Sequence, residues 1–145
     1  MGAADVNTVM EILADHLKNL INEQGRFLFR EVRILYHKDP ETGIFECLPD
    51  LTQFPAAVIV SGDISCEGGW IDVALNVIFL EQTYGVAEKE KIAQDHWNRL
   101  FESLGTDAAG TAFCLDSVPF LLKKSSPVAN EKDFLIRELS LIAKL

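Results

Sequence analysis

FPAAVIVSGDISCEGGWIDVALNVIFLEQ, residues Phe54 to Gln82, reads as two apolar strands joined by a tight turn. The first run is Pro55 to Val60, the turn is Cys66-Glu67-Gly68-Gly69, and the second run is Trp70 to Glu81. Side chains alternate across a strand, so Ile71, Val73, Leu75, Val77 and Phe79 share one face of the second run. Paired glycines take the positive φ values of a hairpin turn without steric cost. Pro55 suits a strand start, where no ladder bond needs its missing N–H. A helical pattern follows at Val86 to Leu104, with Ala93, Trp97, Leu100, Phe101 and Leu104 along its buried face. Asp95 and Arg99 form a favourable i,i+4 pair on its outer side.

Working outward, Thr8-Val9-Met10-Glu11 spells a capping box and opens an apolar series at Val9, Ile12, Leu13, Leu17, Leu20 and Ile21. Gly25 stands where a C′ glycine belongs, which predicts a helix over Thr8 to Gln24. Residues 1–6 are read as disordered or as an expression remnant. Phe27 to His37 is rich in β-branched and aromatic residues and ends at the turn Lys38-Asp39-Pro40-Glu41-Thr42-Gly43, with Ile44 to Leu48 as the return strand. Pro49 to Gln53 is a connector, and Tyr84-Gly85 and Gly105 bound the second helix. Phe113 to Lys123 reads as one strand, with Pro119 marking an edge or bulge, and Ser125-Ser126-Pro127 as a turn. Asp133 to Leu145 fits both periods and is read as a strand. The expected order is α-β-β-β-β-α-β-β. This is one α+β domain over residues 1–145, with a mostly antiparallel sheet and two helices packed on one face.

Composition narrows the function. With 48% hydrophobic and 24% charged residues in a chain of 145, the sequence is that of a globular domain with a sizeable core. Its apolar runs fall short of a membrane span, and no basic-then-apolar signal segment opens it. A soluble protein made in a cytosol is expected. Thirteen basic against twenty-two acidic residues leave a net charge of -9, which disfavours binding to phosphate backbones. Cys47, Cys66 and Cys114 form no C-x-x-C pair, so neither a disulfide framework nor a zinc knuckle fits, and all three are expected as buried thiols.

No constellation at catalytic spacing emerges. Val60-Ser61-Gly62-Asp63 lacks the first glycine of a nucleophile elbow and does not lead into a helix. Gly68-Gly69 precedes no Lys-Ser/Thr pair and is a turn rather than a phosphate cradle. His16, His37 and His96 are scattered, and His16 and His96 read as boundary residues of helix faces. Asp63 and Asp72 read as solvent-facing strand residues. No catalytic, cofactor-binding or metal-binding residue is assigned, and an enzyme is not expected. Trp70, beside Gly69, stands where a large aromatic either caps the sheet or reaches a partner.

The opening helix Met10-Glu11-Ile12-Leu13-Ala14-Asp15-His16-Leu17, the strand Phe54 to Val60, the strand Ile71 to Val77 with its following helix, and the closing Phe134 to Leu141 occur in a recognisable order. In that order and apolar spelling the chain resembles the bacteriophage tail terminator, or tail-completion, family, including prophage minor tail proteins. The resemblance implies a non-enzymatic structural role in the virion tail. It implies a homo-oligomeric ring, hexameric in that family, which closes the tail tube and faces the head connector. An acidic surface suits a channel that must not retain DNA. A closed ring needs a head-to-tail interface. Sheet edges and the hairpin tips at Asp39–Gly43 and Cys66–Trp70 are natural places for one. Glu67, Gly68, Gly69 and Trp70 are the expected subunit contact. The alternative reading is a small cytosolic ligand-binding or regulatory module. A third places an enzyme site in loops 49–53 or 105–112.

Overall fold

The structure is a computed structural model that describes residues 5–36, 51, 53–104, 112–127 and 133–145. In chain order it runs α1 (Val6–Lys18), β1 (Glu31–Leu35), β2 (Ala56–Glu67), β3 (Trp70–Gln82), α2 (Ala87–Ser103), β4 (Ala112–Leu115), β5 (Val118–Pro127) and β6 (Phe134–Lys144). The six strands form one sheet in the order β1-β2-β3-β6-β5-β4. The β1–β2 pair is parallel, and every other pair is antiparallel. The α+β class, the mostly antiparallel sheet and the two helices agree with the sequence reading. The expected return strand at Ile44–Leu48 and the turn at Asp39–Gly43 lie outside the described residues.

One face of the sheet carries the main core. Val73, Leu75, Val77 and Phe79 of β3 align by register with Ala57 and Ile59 of β2 and with Leu139, Leu141 and Ala143 of β6. All nine are buried, and both helices pack onto this face through Val9, Leu13 and Leu17 of α1 and Trp97 and Leu100 of α2. Phe113 and Phe120 continue the layer across β4 and β5, with rings stacked at 5.2 Å. The opposite face carries a smaller cluster of Val58, Val60, Ile78, Leu80 and Ile136, against which Leu35, Leu51, Phe54 and Phe134 pack. Because both faces of β2 are apolar near Ala56, that run is continuous rather than alternating.

The first helix starts and stops earlier than the capping-box reading placed it. Asp5 is the N-cap: its carboxylate accepts the Thr8 N–H at 2.7 Å, which holds the carboxyl below its usual range. Thr8 therefore lies inside the first turn. At the other end Asn19 caps α1, and Asn22 captures the chain that follows. Its side-chain oxygen accepts from the N–H groups of Gln24 at 2.9 Å and Arg26 at 3.0 Å. Such local side-chain bonds compete with the helical ladder, so the apolar period continues into Leu20 and Ile21 while the helix does not. Gly25, at φ +75°, serves this turn and not the helix end.

A second correction lies at Phe113–Lys123, which is a hairpin rather than one strand. Asp116 and Ser117 form its two-residue loop, with φ values of +49° and +65°. Neither is glycine, so the usual spelling of such a turn is missing. Pro119 sits in β5, and pairing with β6 begins one residue later at Phe120. Ser125-Ser126-Pro127 continues β5 and is not a turn. Ser117→Gly should relieve a left-handed backbone and stabilise the protein by about 1 kcal/mol. A rise in urea midpoint at unchanged slope would register it, and an unchanged midpoint would refute it.

Candidate functional site: the arm of the β2–β3 hairpin

The hairpin that opened the sequence reading divides into a buried base and a projecting arm. From Ala56 to Val60 every β2 residue is buried, and β1 covers the outer edge by pairing with those five positions. The register then shifts between Ser61 and Ile64, a bulge. Gly62 lies there, and a Cβ added to it would meet that of Ala74 at 3.4 Å, an ordinary van der Waals contact. Beyond the bulge β2 has no neighbour on its outer edge among the described residues. The β3 side stays supported: Ile71 and Leu145 exchange two backbone hydrogen bonds, of 3.2 and 2.8 Å.

At the tip, Gly68 and Gly69 adopt φ values of +59° and +82°, and Glu67 pairs with Trp70 across them. The two-glycine turn of the sequence reading is thus present. Around it three large apolar side chains stand in solvent: Ile64 is 54%, Trp70 58% and Ile71 41% exposed. Trp70 does not cap the core; it lies over the outer face beside Pro119 and Lys144. Register sorts the rest of the arm. Ile64 stands opposite Val73 and Cys66 opposite Ile71, so Ile64, Cys66 and Ile71 project toward the helix side. Trp70 and Asp72 project to the other side. Asp72 is not simply solvent-facing: its carboxylate meets the Lys144 ammonium at 2.9 Å.

The cysteines depart from expectation. Cys66 and Cys114 are exposed free thiols, because the arm lies past the core and Cys114 faces away from it on β4. Cys47 is outside the described residues.

Two histidine pairs tie the helices down. His16 Nε2 lies 3.1 Å from Ser103 Oγ, whose own proton goes to the Leu100 carbonyl at 2.6 Å. His16 is therefore the donor, and Ser103 is not activated as a nucleophile. Burial lowers the His16 pKa. A histidine depressed in the folded state keeps its stabilising effect above the unfolded pKa of about 6.5 and loses it as pH falls below that value. The urea midpoint should drop between pH 7.5 and 5.5, and drop less in His16→Gln; equal drops would refute the assignment.

His96 and Glu81 make the second pair, which the sequence reading missed. Glu81 is 9% exposed at the end of β3, on the face of Phe79, and its carboxylate receives His96 Nδ1 at 2.7 and 3.0 Å. The available signal was a carboxylate at a core-facing position of an apolar strand. Beside His96 lies a pocket of about 300 Å³ lined by Asn22, Glu23, Gln24, Ile92, Asp95 and Arg99. Arg99 does not pair with Asp95 as expected among the described residues; its Nε donates to the Ile21 carbonyl at 2.7 Å. Among the described residues, no three His, Cys, Asp or Glu side chains converge as metal ligands, and no helix is long and apolar enough to cross a membrane.

No protein-family model matches the chain, and no curated protein matches its sequence.

Proposed function

We propose that this chain is a structural protein of a phage or prophage tail that assembles into a closed ring and completes the end of the tail tube. The observation that carries this reading is the arm. Three large apolar side chains, Ile64, Trp70 and Ile71, are held in solvent beyond a bulge that ends the buried part of the sheet. Clustered exposed apolar side chains mark contact surfaces. The resemblance in element order and apolar spelling supports the tail assignment and implies a hexamer. The subunit contact is placed on Glu67, Gly68, Gly69 and Trp70, with tail-tube and head-connector proteins as further partners. The net charge of -9 suits a ring around DNA that must not bind it.

Light scattering coupled to size-exclusion chromatography, with negative-stain images of the peak, tests this. Closed rings at micromolar concentration are expected, and a monomer at every concentration and salt overturns the reading. The pocket beside His96 favours a second reading, a small ligand-binding module. A monomer retaining a small molecule in native mass spectra would put that reading first.

A further inference from the structure

We infer that the pocket beside His96 binds a free α-amino acid with an aliphatic side chain. This does not depend on the ring; it rests on the second reading and gives its ligand a chemical class. The pocket, of about 300 Å³, is lined from α2 and from the turn after α1, and its volume suits a small ligand. Three half-buried side chains in it are each held by one end and open at the other. His96 Nδ1 meets the buried Glu81 carboxylate at 2.7 and 3.0 Å, and its Nε2 has no partner among the described residues. Arg99 Nε donates to the Ile21 carbonyl at 2.7 Å, which fixes the guanidinium and leaves its two terminal amino groups open among those residues. Asn22 Oδ1 accepts the Gln24 and Arg26 N–H groups, which leaves Nδ2 as a donor.

Side chains fixed in this way lose little freedom when a ligand arrives. A guanidinium with both terminal groups open matches a carboxylate through two parallel hydrogen bonds. Glu23 and Asp95 line the same pocket as exposed residues. Among the described residues the pairs of opposite charge are Arg33–Glu31, His96–Glu81 and Lys144–Asp72, so neither Glu23 nor Asp95 neutralises Arg99. Two carboxylates at the mouth attract an ammonium and repel a dianion such as inorganic phosphate. A ligand that sets a carboxylate on Arg99 and an ammonium near Asp95 is an α-amino acid zwitterion, which carries both charges on neighbouring carbons. Ile92 adds an apolar wall and favours an aliphatic side chain.

Titration of the isotope-labelled protein with L-valine, followed by NMR, tests the site. Saturable shifts of the Asn22, His96 and Arg99 signals are expected. Isovalerate, which lacks the ammonium, and isobutylamine, which lacks the carboxylate, should each bind about tenfold more weakly or worse. Inorganic phosphate should leave the signals in place. Arg99→Gln should weaken L-valine about tenfold, with circular dichroism unchanged. Asp95→Asn, a change at an exposed position that spares the fold, should weaken it by about the same factor. The absence of a saturable shift with L-valine overturns the proposal. Full affinity in either variant also overturns it, as does binding of isovalerate, isobutylamine or phosphate as tight as that of L-valine. Retention of another small molecule in native mass spectra, without binding of L-valine, overturns the amino-acid class and leaves the second reading.

Discussion

Phe79→Ala lowers the unfolding free energy by about 4 kcal/mol, the largest loss expected from one substitution in this chain. Phe79 is fully buried and joins three parts of the fold. Its ring meets Phe29, just before β1, edge-on at 5.9 Å, and Trp97 of α2 at 5.8 Å. Truncation removes the transfer energy of the ring and leaves a cavity between sheet and helix that rigid neighbours cannot fill. Phe79→Leu, which keeps most of the volume, should cost about 1.5 kcal/mol. Urea unfolding at fixed protein concentration measures both. A loss below about 1 kcal/mol for the alanine variant would show that the site collapses and that Phe79 is not the junction described.

His96→Ala is expected to cost about 3 kcal/mol, because it strands the Glu81 carboxylate beneath α2. The cost belongs mainly to the orphaned charge and not to the bond. Glu81→Gln should therefore cost less, since the amide oxygen still accepts the Nδ1–H. The double variant Glu81→Leu/His96→Leu should return to within about 1 kcal/mol of the parent, both partners being replaced by apolar groups. Should the double variant prove as unstable as the sum of the single ones, the orphaned-charge account fails. A second polar link, from Arg137 Nη2 to Gln94 Oε1 at 2.9 Å, joins β6 to α2 and should survive either change.

Local spelling was most reliable where a periodic pattern and a turn signal coincided. Gly68-Gly69 between two apolar runs gave β2 and β3, and the helical spacing of Ala93, Trp97 and Leu100 gave α2 nearly to the residue. It misled where short polar side chains redirected the backbone. Asp5 displaced the capping box at Thr8, Asn19 capped α1 before its apolar period ran out, and Asp116-Ser117 turned the chain without glycine. It also misplaced single side chains. Cys66 and Cys114 are residues of a type usually buried, yet Cys66 lies on the arm past the core and Cys114 faces away from the core on β4.

The sequence alone determined the α+β class, the central hairpin and the apolar face of β3, because these follow from periods of two and 3.6 residues along the chain. Only the tertiary structure decided that β6 inserts beside β3, that Glu81 finds His96, and that the hairpin splits into a buried base and an exposed arm. Those outcomes depend on which strands become neighbours and how far each helix reaches, which no local window of residues encodes. The paired glycines mark the turn; the bulge after Ser61 and the reach of β1 make its far end an arm.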